Sequence, residues 1–423
     1  MKFKTRLRSS FAVKSSPFLL GLVLFYYLGD AGPPPQNYGH APTVVSFPLF
    51  YLCAFAYAAA SALAAWESGS IRKFGVWHWA PQRSRYRIAA ESLMPVVLVS
   101  WSMLVLPVSL ALVETSTLPT LASLGPLFEA MVLCVAHAVI GFAVGLYLPR
   151  SVSAPVLAVT TWIVIAFTIS LDPPWLRQIS GLCFEYLMFG EALTFSALWP
   201  PILLAGGVAL AVAVLWMKNR FVAIPVALAI LLTGVVVSYN EVKDRGYFPP
   251  MATGVTELSC AQSPGGTEVC MPKVTASALP RVARTSQSVL ADLRSAGVER
   301  SPRLITDSLA DGRYLRPSTD RVWRIPLTRA AAQNGERFQI VIAAVGFTCA
   351  RPDPVLRRAV LEWVAGVTHT EREWQQAKAR VEQERSSADA AATSMVQGVH
   401  RKTKAQQAKW FEESVHASCR RDG

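Results

Sequence analysis

Charge is scarce in this chain, and negative charge is scarcer still. Only 16% of its 423 residues are charged, with 28 Asp and Glu against 41 Lys and Arg. A single water-soluble body of this length would carry more charge on its surface, so that architecture is excluded. Histidine is rare as well, at 6 residues, and none stands in an H-E-x-x-H pair. There is no G-x-x-x-x-G-K-[ST] loop, so ATP chemistry of that kind needs another polypeptide. No G-x-S-x-G elbow marks a serine nucleophile. The residues therefore assign no catalytic group, cofactor or resident metal, and an enzyme is the weakest functional class.

Long apolar runs fill that space. The chain is 52% hydrophobic, and the excess is concentrated before Tyr239; from Asn240 to Gly423 it is polar. Residues 11–28, 43–65, 89–113, 121–148, 155–171, 197–217 and 221–239 are each long and apolar enough to cross roughly 30 Å of hydrocarbon. The expected fold is an α-helical polytopic membrane domain of six to seven spans over residues 1–240. A small α+β domain follows over residues 246–423. The formal charge of +13 invites a nucleic-acid reading, but the basic residues cluster in short loops beside apolar runs and no recognition motif accompanies them. Nucleic acid is not an expected partner.

Those loops set an orientation. Lys2, Lys4, Arg6, Arg8 and Lys14 precede the first run, and no small-residue cleavage site follows it, so we read an uncleaved first span. Arg72, Lys73, Arg83, Arg85 and Arg87 lie between the second and third runs without an acid. Arg150 separates the fourth and fifth runs, and Lys218 and Arg220 the sixth and seventh. The alternate loops hold one basic residue, Arg177. Short basic loops stay cytoplasmic, which places the N-terminus inside a bacterial plasma membrane and, after seven crossings, the polar tail outside it. Residues 172–196 mix Trp175, Leu176, Ile179, Leu182 and Phe184 with Arg177, Glu185 and Glu191, a pattern for short helices at or dipping into the outer interface.

Six spans, a basic amphipathic segment after the second, and short outer helices after the fifth form a layout that resembles the permease subunits of type-two ABC exporters. The resemblance covers residues 1–220. It implies a separate ATPase partner, a homo- or heterodimer of permeases around one path, and an interfacial helix that docks into the ATPase. The matching stretch runs from Ile71 to Arg87. On physical grounds alone, Phe74, Trp77 and Trp79 suit the headgroup level of the lipid bilayer, and Arg83, Arg85 and Arg87 suit lipid phosphate or an acidic partner. Glu185 and Glu191, with Trp175, fall in the segment that lies beside the outer exit in that family. The seventh span and the polar tail depart from the family pattern. That added part is similar to tails of permease-like membrane proteins of actinobacteria.

In the tail, strand-like residues flank Ser263-Pro264-Gly265-Gly266, which reads as a hairpin with Cys260 and Cys270 near its ends. Outside the cell a disulfide between them is the natural consequence, and Cys349 and Cys419 remain for a second bridge. Four cysteines allow three pairings, and spacing does not choose among them. A zinc site is disfavoured by spacing and by the lack of a nearby histidine. Helices are expected over 276–296, 355–367, 372–383 and 406–419, with short strands over 304–306 and 322–325. Residues 338–347 favour helix slightly over strand, and 386–403 read as a frayed helix.

Inside the spans, His137 is the polar group to watch, against the simpler account of a neutral imidazole satisfied within the bundle. Glu129 sits eight residues earlier, about 80° away around the helix, so the two need not act together. The leading expectation is the permease subunit of an ABC transporter, forming the path and coupled to a separate ATPase. The alternative is a non-transporting membrane-anchored protein whose extracellular domain binds a cell-envelope or protein partner.

Overall fold

Proline is distributed differently in the two halves of the chain. Among its described residues the first half contains seven long helices: α1 (Phe11–Tyr26, prolonged by a π turn, Tyr27–Ala31), α2 (Ala41–Lys73), α3 (Arg85–Glu114), α4 (Leu121–Tyr147), α5 (Arg150–Phe167), α7 (Phe195–Val214) and α8 (Arg220–Val242). The short α6 (Trp175–Ile179) stands between the fifth and sixth of these. Every long helix has a proline inside it, at Pro17, Pro48, Pro95 and Pro107, Pro126, Pro155, Pro200 and Pro201, and Pro225. An interior proline costs about 3 kcal/mol in a solvated helix. Membrane helices tolerate it because neighbours re-satisfy the freed carbonyl. Pro200, for example, gives no N–H to the Ser196 carbonyl, and the Arg245 guanidinium donates to that oxygen at 3.2 Å instead.

The computed structural model describes residues 10–31, 38–75, 84–181, 187–254, 256–263, 265–313, 315–349, 351–381 and 386–419. It divides into two units, Met1–Thr253 and Gly254–Gly423. In the first, seven helices are long and apolar enough to cross a membrane, matching the seven expected runs. One boundary differs materially. Helix α2 was expected over 43–65 but continues for 33 residues to Lys73, about 50 Å at 1.5 Å per residue. Residues 66–73 stay helical because small side chains there pack on other helices. A Cβ on Gly69 would lie 2.7 Å from the Arg150 Cβ.

Helix α2 is the hub: 83% of its apolar window is buried, against 17% for α1 and 22% for α8. Its closest neighbour is α4, and glycine sets the distance. A Cβ on Gly141 would lie 2.2 Å from the Ser61 carbonyl oxygen, and one on Gly145 2.3 Å from the Ala65 carbonyl oxygen. G-x-x-x-G on α4 therefore meets S-x-x-x-A on α2 with the backbones in contact, which maximises dispersion where lipid offers no hydrophobic drive. Helix α1 is held differently. Glu67 of α2 accepts from Ser10 Oγ and Phe11 N, both at 2.7 Å, and so caps the α1 N-terminus from another helix. Phe11 also stacks on Trp66 at 4.7 Å.

The second unit is α+β. Strands β3 (Leu258–Gln262) and β4 (Glu268–Pro272) form the expected antiparallel hairpin, with β5 (Leu304–Asp307) and β6 (Val322–Ile325) added in parallel in the order β3-β4-β5-β6. Around the sheet lie α9 (Leu279–Ser295), α10 (Leu327–Ala332), α11 (Glu336–Val345), α12 (Pro354–Val367), α13 (Glu371–Val381), α14 (Ser386–His400) and α15 (Lys404–Ser418). Here Pro280 and Pro354 sit in first turns, where a missing N–H is harmless. The slight preference for helix over 338–347 holds in α11, and the frayed stretch is the helix α14. Val282, Val289 and Leu293 of α9 meet Val269, Ile305 and Trp323 of the sheet, while Trp363 of α12 packs on Phe411 of α15 at 5.2 Å.

Both bridges form in this unit: Cys260 to Cys270, facing each other across the hairpin, and Cys349 to Cys419, 70 residues apart. The second pins the C-terminus of α15 beside the Asp353 N–H, which donates to the Ser418 carbonyl at 2.8 Å.

Peptide mapping of the unreduced protein should recover Cys260 with Cys270 and Cys349 with Cys419, and no crossed pair. Closing the longer loop should stabilise the unit by about 4 kcal/mol against about 3 kcal/mol for the shorter. In the membrane unit, Gly145→Val should cost on the order of 3 kcal/mol by overpacking. Gly206→Ala is the control, because a Cβ there meets nothing within 4 Å. Thermal unfolding of the two variants in lipid nanodiscs separates them.

Candidate functional site

At one end of the membrane unit, basic residues sit on helix termini and bond across helices. Arg72, in the last turn of α2, donates to the Tyr147 carbonyl at the end of α4. Arg150, opening α5, donates to Ser70 Oγ of α2 at 3.2 Å and lies 4.8 Å over the Trp66 ring. Arg85, opening α3, donates to the Trp216 carbonyl beyond α7 at 3.2 Å, and the Tyr86 hydroxyl donates to the Ala213 carbonyl at 3.1 Å. Arg87 pairs with Glu91 at 3.0 Å, its side chain still 70% exposed. Phe74 is exposed in the turn that ends α2.

The stretch from Ile71 to Arg87 thus begins as the last turn of α2 and ends as the first turn of α3, with Ser84 Oγ accepting from Arg87 N. A single interfacial helix across it is not what its described residues form. Trp77, Trp79 and Arg83 lie outside the described residues, as does Glu185.

The opposite end of the bundle holds the segment between α5 and α7. Its α6 lies in the protein, with Arg177 and Gln178 buried. Gly181 goes deeper. With φ of +75° it turns tightly, its carbonyl accepts from the Tyr57 hydroxyl at 3.1 Å, and a Cβ there would lie 2.4 Å from Leu133 Cδ1. Non-helical backbone at that depth is tolerated only when protein encloses it.

The same segment is clasped to the chain leaving α8. Strand β1 (Glu191–Leu193) pairs antiparallel with β2 (Met251–Thr253). Gln178 Nε2 donates to the Gly246 carbonyl at 2.6 Å, Arg177 lies 4.0 Å over the Tyr247 ring, and Thr194 donates through its hydroxyl to the Pro250 carbonyl at 2.9 Å. Trp175 stands edge-on to Tyr239 at 5.2 Å. Glu191 is fully buried, not a solvated acid, and accepts from the Met188 N–H at 2.9 Å. Near it His40, at the N-cap of α2, bonds Thr43 Oγ1 at 2.9 Å and packs on Phe189 at 4.9 Å. Burial lowers the His40 pKa from its ordinary value to about 4, against a smaller upward pull from Glu191.

Between these ends, the α2–α4 interface carries a line of polar groups. His137 stacks on Tyr57 at 5.1 Å, and Ser61 Oγ donates to the His137 carbonyl at 3.4 Å. One turn past Leu133 toward the segment end is Glu129. It is 0% exposed, and neither carboxyl oxygen has a hydrogen-bond partner.

In the second unit the buried acids Asp307 and Asp311 are partnered within the fold. Asp307 at the end of β5 accepts from Thr328 N at 2.8 Å and Leu309 N at 3.1 Å, while burial pushes its carboxyl pKa up. Buried Asp311 accepts from Arg316 and Arg324. Cys260, Glu268 and Cys270 are close enough to hold a metal, but the sulfurs are spent in the disulfide.

Sequence reasoning missed the clasp and set Glu129 aside. The three-residue strands β1 and β2 are too short to show periodicity, and Tyr247-Phe248-Pro249-Pro250 reads as a stiff exit. The Glu129 signal was present, as an acid inside an apolar run. No family model, curated protein or solved structure matches this chain.

His40 gives the clasped end a pH dependence. Its folded pKa is depressed, so the neutral ring contributes stability above about pH 6.5, the unfolded value, and that contribution is lost as pH falls toward about 4. Melting temperatures of the solubilised protein across that window should fall for the native chain and fall less for His40→Gln. Equal slopes would remove His40 as the cause.

Proposed function

We propose that this chain is the path-forming membrane subunit of an exporter of the type-two ABC class, driven by an ATPase on a separate polypeptide and working as a dimer of permeases. The observation that carries the reading is the wiring of the basic end. Arg72, Arg85 and Arg150 link the flanks of the loop between α2 and α3 to α4, α7 and α5. A force applied to that loop therefore reaches three further helices through hydrogen bonds, which is what an input surface for a motor requires. At the other end, a segment inserted between spans and anchored by Tyr57 suits a gate over the exit.

In this reading ATP-driven closure of the motor displaces the basic loop, the spans tilt about the α2–α4 contact, and the inserted segment lifts. The clasp passes that movement to the stem at residues 243–253, and the C-terminal domain receives, caps or selects cargo. The basic loop lies in the cytoplasm and that domain outside the cell.

A second reading is a non-transporting, membrane-anchored binding protein for a cell-envelope or protein partner. It draws support from the second unit, which closes its own apolar core and two disulfides. The two readings differ at the basic loop. With a photo-crosslinking residue in place of Phe74, the exporter reading expects a crosslink to an ATPase with a phosphate-binding loop. Arg83, Arg85 and Arg87 changed to Glu should lower its recovery at least about tenfold, since several like charges now face an acidic or dipolar partner. Undiminished recovery, or no ATPase crosslink, would favour the binding-protein reading.

A further inference from the structure

We propose that Glu129 is the anionic ligand of a monovalent-cation site inside the membrane bundle, between α2 and α4, reached from the end that carries the inserted segment. The inference rests on the position of this acid and does not depend on an ATPase. A carboxyl that is fully buried with both oxygens unpartnered is among the costliest groups to keep inside a membrane span. A positively charged ligand removes that cost.

The register of the two helices shows what faces it. Ser61 lies against Gly141 and Ala65 against Gly145, so α2 and α4 run in the same direction. Carrying that register back sets Leu49 and Cys53 of α2 beside Glu129 and Leu133 of α4. On the side of the basic end the way is shut by the stacked Tyr57–His137 pair and then by backbone contact at the two glycines. On the other side the cover is Gly181 and its turn, resting on Leu133. The Gly181 carbonyl there accepts from the Tyr57 hydroxyl at 3.1 Å. Access is therefore one-sided.

The ligand carries a single charge. Among the described residues, Glu129 belongs to no group of three His, Cys, Asp or Glu side chains close enough to hold a metal. A divalent ion would lack the oxygen and charge complement it needs. A lone carboxylate matches the single charge of an alkali cation or of the ammonium group of an amine.

The test uses the full chain in lipid nanodiscs. Thermal unfolding is followed in chlorides of lithium, sodium, potassium and ethylammonium, at ionic strength held constant with N-methylglucamine chloride. At least one small cation should raise the melting temperature saturably, and Glu129→Gln should lose that shift. An inorganic cation would mark a coupling ion, and ethylammonium a cargo amine. A wild-type protein that responds to none of them, or a Glu129→Gln protein that responds equally, would overturn the proposal. If Glu129→Gln does not fold, a membrane-permeant carbodiimide on the wild type replaces it. The Glu129 peptide should be modified, and the cation should protect it; no adduct, or an adduct indifferent to every cation, would overturn the site.

Discussion

The membrane unit depends on the backbone contact between α2 and α4. Where Gly141 meets Ser61 and Gly145 meets Ala65, no side chain fits between the helices. That closeness makes α2 the buried centre of the bundle. It also fixes the register that aligns Tyr57 with His137 and brings Cys53 beside Glu129. Lipid supplies no hydrophobic force to hold helices together, so atomic contact and a few polar bonds must do so. A buried polar line is affordable there only because the surrounding packing is this tight.

The two ends of the bundle then divide the work. At the basic end, arginines on helix termini tie three further helices to the loop between α2 and α3. At the other, an irregular segment enters the bundle, rests on Leu133 and is stitched to the stem beyond α8 by a two-stranded ribbon and side-chain bonds. The close α2–α4 contact, the cross-bonded arginines and the clasped segment form one continuous set of contacts from end to end of the bundle. That mechanical continuity supports the exporter proposal more than any single residue does.

Much of this was legible in the sequence, for a physical reason. Crossing a membrane demands about twenty apolar residues in a row, and the seven runs stand out from the polar loops between them. In the tail, Ser-Pro-Gly-Gly between strand-like residues announced the hairpin, and Leu279, Val282, Val289 and Leu293 announced a helical face. What stayed hidden depends on who the neighbour is. Nothing local reveals that residues 66–73 remain helical because Gly69 packs on Arg150. Nor does a three-residue strand declare a partner sixty residues away. That Glu191 is buried and bonded was not legible, because burial is a property of the whole bundle. Glu129 was visible as an anomaly, but that it lacks any partner could be known only from the packed structure.

The central claim is that seven helices cross a membrane and leave the two ends of the chain in different compartments. The direct measurement is a pair of reporters fused after Gly423, one active only outside the cytoplasm and one fluorescent only within it. The account predicts an active alkaline phosphatase and a dark green fluorescent protein. A bright, phosphatase-inactive pair would put the disulfide-bonded unit in the cytosol and contradict the account.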